Sequence, residues 1–339
     1  MRRPVPICVV MLLVFFSRFA LGSQSTIKIH HPLPLSSTIH QKVILPWCER
    51  IEIETSKRLQ CEIYPSMQLG GNVPQLIDQV RDGVVDVIWT LPGFSPGRFP
   101  KTEVFELPFM IRDAEATSEA LWDYVNQYSL DEYEGMQLLA MHVHGGGVLH
   151  STKRVIQTEK DLVRMKVRAP TRQTTQLLSL LGATPVGMPV PQVPEALSKG
   201  VIEATLLPYE VMPALRVDEL TRHHSEPGSD QPKIYTSTFL FAMNHAFFES
   251  LPEDLRGIVQ RNSGPNLSRL MGRVFKEAEM VNRETLDPET IHVLSDEVID
   301  RWKLKSQSLH DRWISERGDV GEHLYREARR LIMKYETPD

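Results

Sequence analysis

Residues 161–172 read Asp161-Leu162-Val163-Arg164-Met165-Lys166-Val167-Arg168-Ala169-Pro170-Thr171-Arg172. Met165–Arg168 form a predicted short strand, Ala169-Pro170 turn the chain, and a helix is expected over 171–181, stopped by Gly182. Strand, tight turn and helix are the repeating parts of an α/β fold. A side chain at the carboxyl end of a parallel strand sits where open α/β sheets bind ligands. The side chain there is Arg168, whose planar fork can hold both oxygens of one carboxylate. A surface salt bridge is the other use of an Arg at such a place.

The same rhythm extends in both directions. Residues 26–31 alternate as a strand, and Ser36 and Ser37 can cap a helix whose apolar stripe is Ile39, Val43, Trp47 and Ile51. Pro46 should kink that helix, because it lacks an amide and crowds the preceding turn. Further strands are predicted at 61–64, 85–89, 137–143 and 202–207, with helices after Asn72 and over 113–127. Strands alternating with helices indicate βαβ units and largely parallel sheets. After residue 245 the pattern becomes mostly helical, over 252–286 and 296–336. Gly145-Gly146-Gly147 is the most permissive backbone in the chain and marks a candidate hinge.

The first 22 residues read as an export signal. Arg2 and Arg3 precede an apolar run, and Ala20 and Gly22 supply the small residues for cleavage before Ser23. The uncharged stretch between Arg3 and Arg18 is 14 residues, shorter than the roughly 20 needed to span a bilayer. No Cys stands at the cleavage point, so no lipid anchor is expected and the product should be periplasmic. Removing 22 of 339 residues leaves 317, and losing Arg2, Arg3 and Arg18 takes the net charge from −5 to −8. That balance argues against nucleic acid as a partner. Of three Cys, Cys48 and Cys61 remain, one on a predicted helix and one on the next strand. In an oxidising compartment they are candidates for a disulfide, two buried thiols being the alternative.

Three enzyme motifs are absent: there is no Walker loop, no GxGxxG and no HExxH. His142 and His144, alternate residues of one strand, are the best metal candidates and define the alternative of an exported metal-dependent enzyme. No cofactor or metal is otherwise implied.

The order of segments resembles the solute receptors of tripartite ATP-independent periplasmic (TRAP) transporters, the DctP-type family. Tyr64-Pro65-Ser66-Met67-Gln68-Leu69-Gly70-Gly71, Phe105-Glu106-Leu107-Pro108-Phe109 and Gly182-Ala183-Thr184-Pro185-Val186 carry the likeness. So do Pro194-Glu195-Ala196-Leu197 with Gly200, and above all residues 161–170, similar to the family's D-L-x-G-x-K-x-R-x-P, with Arg164 where Gly is usual. The resemblance implies an α/β periplasmic binding protein with two lobes, a hinge, crossing strands and a long lobe-spanning helix, here matched by 296–317. It divides the chain into lobe I at 23–145, lobe II at 146–240 and a mostly helical return at 241–339. Arg168 matches the family's carboxylate-binding Arg. The implied partners are a small organic acid and a membrane permease of one small and one large subunit; a receptor feeding a sensor kinase is the other reading, and the charge and lack of apolar patches fit a monomer.

The departures from the family bear on the ligand. Leu207-Pro208 stand where sialic-acid and several dicarboxylate receptors carry Asn-Pro, and near Val148 the second Arg of the sialic-acid branch is missing. Trp89, Phe94 and Tyr209 suggest apolar and aromatic walls, hence a monocarboxylate with an apolar or aromatic body. Arg172 could add a second positive charge for a dicarboxylate, and His144 could hydrogen-bond a ligand hydroxyl or keto group.

Overall fold

The structure, a computed structural model, describes residues 24–337; the expected leader and its cleavage point lie outside the described residues. Eleven strands form: β1 (Ser25–His30), β2 (Leu59–Tyr64), β3 (Val87–Thr90), β4 (Met136–Val143), β5 (Val148–Ser151), β6 (Lys166–Ala169), β7 (Thr184–Gly187), β8 (Ala204–Leu207), β9 (His223–Glu226), β10 (Thr238–Asn244) and β11 (Ile291–Val293). They make a five-stranded sheet in the order β2-β1-β3-β10-β4 and a six-stranded sheet in the order β11-β9-β5-β8-β6-β7. Each sheet founds one lobe.

The sheets are largely parallel, as expected, with one strand reversed in each. In the first sheet β10 runs antiparallel to both neighbours, and in the second β5 does. The reason is the crossing. The parallel strands of both sheets point their carboxyl ends at the cleft between the lobes. A chain that leaves one sheet there and continues straight on must enter the other sheet running away from the cleft. β4 passes through Gly145–Gly147 into β5, and β9 returns through residues 227–237 into β10. The boundary expected after residue 240 therefore falls inside β10, and the return crossing lies ahead of Thr238.

Pro46 produces a local expansion. Residues His40–Ile44, the turn just before it, are π-helical, and the α-helix Leu45–Glu54 continues beyond. The wider turn gives the pyrrolidine ring room while the stripe Ile39, Val43, Trp47 and Ile51 stays buried. Cys48 on this helix is joined to Cys61 on β2, with Cα atoms 5.8 Å apart. The 21-residue helix Asp296–Glu316 spans the two lobes. Its Ile299 and Trp302 belong to the core that includes Val167, Leu177 and Leu206, while Trp313 belongs to the core of the first sheet. No helix among the described residues is long and apolar enough to cross a membrane.

Candidate functional site

Side chains at the carboxyl ends of strands converge on one pocket between the lobes. Trp89 comes from the end of β3, Arg168 from β6 and Leu207 from the end of β8, while His144 follows β4 directly. Phe94 joins them from the loop after β3.

Arg168 is 2% exposed. Its Nε donates to the Met188 carbonyl (3.0 Å) and its Nη1 to the Leu206 carbonyl (2.9 Å). Those bonds fix the fork against the ends of two neighbouring strands and leave donors unused, since a guanidinium has five N–H groups. Among the described residues no carboxylate pairs with it. Burial lowers its pKa to about 10, and the nearby Tyr235 counts slightly in the other direction. The group is therefore a cation at neutral pH, desolvated and without a counter-ion. A buried charge in that state costs several kcal/mol unless an anion arrives.

The walls are apolar and aromatic. The Phe239 ring stacks on Trp89 with centroids 4.9 Å apart and on His142 at 4.6 Å, both at 11°. Trp89 Nε1 donates to His142 Nε2 (3.0 Å), while His142 Nδ1 lies 3.2 Å from the Val143 carbonyl and donates to it. Both nitrogens of His142 are thus engaged, and burial holds its pKa down at about 3. His142 is buried behind Trp89 and orients the indole; it does not line the pocket.

His144 lines the pocket, but its ring nitrogens lie 3.1 Å from the Ser237 amide and 3.1 Å from the Gly146 amide. Its carbonyl accepts from Thr236 Oγ1 (2.9 Å). Burial first, then His142 and Arg168, depress its pKa to about 3. A neutral imidazole accepts at one nitrogen only, so one of these two amides is bonded and the other ring nitrogen carries the proton; the Thr236 bond ties the two crossing segments together, and His144 keeps a place in the pocket lining. Among the described residues no group of three or more His, Cys, Asp or Glu is placed to hold a metal ion.

Two expectations are corrected. Arg172 lies outside the pocket, and its guanidinium grips Glu103 with both ends (2.9 and 2.7 Å) and reaches Glu316 (3.2 Å). Glu103 also receives Arg317 Nη2 (3.1 Å). The arrangement is an ion-pair network between the first lobe, the second lobe and the long helix, not a second carboxylate anchor. Tyr209 turns away from the pocket, its hydroxyl donating to Glu226 Oε2 (3.0 Å), a carboxylate that Arg283 also holds.

Among the lining residues that sequence reasoning missed are Tyr235, Phe239, Phe275 and Glu210. Tyr235 is 1% exposed and lies close enough to Arg168 for each to perturb the other's ionisation. Its ring occupies the space that a Cβ on Gly147 would need, at 1.5 Å. Gly147 is therefore required by close packing as well as by its place in the crossing. Glu210 follows Pro208 by two residues, and that proximity to Leu207 was the available signal.

Residues 29–316 match the family model described as bacterial extracellular solute-binding protein, family 7. The chain belongs to this family. It is similar to a TRAP solute-binding protein from Rhodoferax ferrireducens solved with copurified benzoate, at 44% identity, covering 92% of this chain and 99% of that one, with a TM-score of 0.90. A marine-metagenome TRAP solute-binding protein specific for aromatic acid ligands, solved with 3-hydroxybenzoate, is 42% identical over 93% of this chain and 100% of that one, also at 0.90. A TRAP periplasmic solute-binding protein from Bordetella bronchiseptica, solved with (R)- and (S)-mandelate, is 26% identical over 91% and 99%, at 0.84. Family 7 proteins of this kind are periplasmic receptors that bind small organic acids and work with a TRAP permease; they are not enzymes.

Proposed function

We propose that the protein captures an aromatic monocarboxylate, with Arg168 taking the carboxylate and the aromatic walls enclosing the ring. The observation that carries the reading is the buried, cationic Arg168 without an acidic partner, set among Trp89, Phe94, Leu207, Phe239 and Phe275. Tyr235, which lines the pocket near the guanidinium, is assigned to the same carboxylate. The relatives solved with benzoate, 3-hydroxybenzoate and mandelate support this class of acid. With Arg172 held by Glu103, one positive anchor remains, which favours a monocarboxylate over a dicarboxylate.

Binding proceeds by closure. The acid enters an open cleft, pairs with Arg168, and the lobes shut and exclude water, strengthening the ion pair in a lower dielectric. A micromolar receptor needs about −8.2 kcal/mol. Charge-assisted hydrogen bonds contribute about 1.5–3 kcal/mol each, so burial of the ring must contribute much of the remainder. The proposed lobes are 23–145 and 146–237, with the chain from Thr238 onward returning to the first sheet and spanning both. We assign the leader at 1–22 to export, with cleavage before Ser23. The closed monomer then docks on a permease of one small and one large subunit.

A thermal-shift screen against benzoates, mandelate, aliphatic 2-hydroxy and 2-keto acids, dicarboxylates and sugar acids tests the reading. A ligand at 100 times its dissociation constant adds about 2.7 kcal/mol of stability. Stabilisation by aromatic monocarboxylates above all other classes is expected; stabilisation by dicarboxylates or sugar acids alone overturns it.

A further inference from the structure

The pocket has a second polar feature that the carboxylate does not use. Glu210 lines it from the turn Tyr209–Val211, is 3% exposed, and leaves its Oε1 without a hydrogen-bond partner among the described residues. The turn is held firmly, since Asn282 Nδ2 donates to the carbonyls of Tyr209 (3.1 Å) and Glu210 (2.9 Å). Burial raises the Glu210 pKa to about 7, with Thr38 and then Lys42 opposing. Arg168 is not among the groups that perturb Glu210, nor Glu210 among those that perturb Arg168. Among the described residues no ion pair joins the carboxyl to the guanidinium, and the chamber around them is walled mostly by apolar side chains.

A buried oxygen without a donor is costly, and the cost is relieved when a ligand brings an O–H to it. Either protonation state of the carboxyl can accept that bond. We propose that Glu210 determines specificity by accepting a hydrogen bond from a hydroxyl on the ligand's ring, so that the receptor selects hydroxylated aromatic carboxylates over the unsubstituted acid. The proposal rests on the aromatic-acid reading above, with Arg168 at the carboxylate. Pockets built to hydrogen-bond a hydroxyl discriminate strongly against analogues that lack it, because the protein's own polar group is then stranded.

Isothermal titration of the mature protein, Glu210→Gln and Glu210→Leu with benzoate and with 2-, 3- and 4-hydroxybenzoate tests this. At least one hydroxybenzoate should bind the natural protein about tenfold or more tighter than benzoate. Glu210→Leu should abolish that ratio by weakening the hydroxybenzoate far more than benzoate, and Glu210→Gln, which keeps an acceptor, should retain part of it. A natural protein that binds all four acids within about twofold of one another overturns the proposal and leaves the aromatic-acid reading standing. So does a Glu210→Leu variant in which every acid weakens equally, as a contact that only holds the lobes together through Thr38 would produce. A natural protein that binds none of the four overturns both.

Discussion

Single side chains in this receptor act through what surrounds them. Arg168 is poised for an anion because two backbone carbonyls hold it and, among the described residues, no carboxylate pairs with it. Arg172, only four positions later, is withdrawn from ligand chemistry because Glu103 and Glu316 occupy it. Gly147 belongs to the same account. A Cβ there would stand 1.5 Å from Tyr235 Cε1, whereas a Cβ on Gly187 meets nothing within 4 Å. Gly147→Ala should therefore lower stability by about 2–3 kcal/mol through overpacking and weaken acid binding, because Tyr235 lines the pocket. Gly187→Ala should be close to neutral in chemical denaturation. Equal effects at the two positions would show that Gly147 is tolerant.

At the scale of elements, the disulfide ties the helix Leu45–Glu54 to β2 across a sequence separation of 13. For a loop of that size the expected loss in Cys48→Ser is about 3 kcal/mol, read as a lower urea midpoint. Binding should survive where the fold does, since neither Cys lines the pocket. Much at this scale was legible in the sequence. The βαβ units, the capped helices and the strand ends carrying Trp89, Arg168 and Leu207 follow from local periodicity and turn chemistry. β10 did not show itself: Thr238–Asn244 is buried throughout and has no alternation, so its run reads equally as strand or helix. Tyr235 and Phe239 reach the pocket only because the chain crosses back between lobes, a long-range event that local sequence does not encode. Tyr209 and Arg172 were misplaced for a related reason. Nearness in sequence to Leu207 and Arg168 does not determine which way a side chain leaves a turn or a helix start.

At the scale of the molecule, closure and pH are the properties to test. Glu103 joins Arg172 of the second lobe to Arg317 at the end of the long helix. Glu103→Gln should weaken acid binding about fivefold, equivalent to about 1 kcal/mol for a partly exposed pair, without touching the pocket; unchanged affinity would exclude the network from closure. Burial raises the pKa of Glu106 and Glu210 to about 7 and of Glu279 to about 8. Raised carboxyls contribute stability that is complete below their unfolded value near 4.5 and is lost as pH rises through the folded value. Burial lowers His142, His144 and His150 to about 3, so these contribute stability present above 6.5 and lost as pH falls. Between pH 6.5 and 8 only the carboxyl effect operates within this set, and the melting temperature should decline across that window; a rise would contradict the assignment.

The most direct test of the central claim is calorimetric titration of Arg168→Ala beside the natural protein, using the acid that stabilises it best. With Arg168 as the carboxylate anchor, the variant should lose about 100-fold or more in affinity, at least about 2.7 kcal/mol. Its melting temperature without ligand should be equal or higher, because a buried unpaired charge has been removed. An Arg168→Ala protein that binds within about threefold of the natural one would show that the carboxylate is held elsewhere.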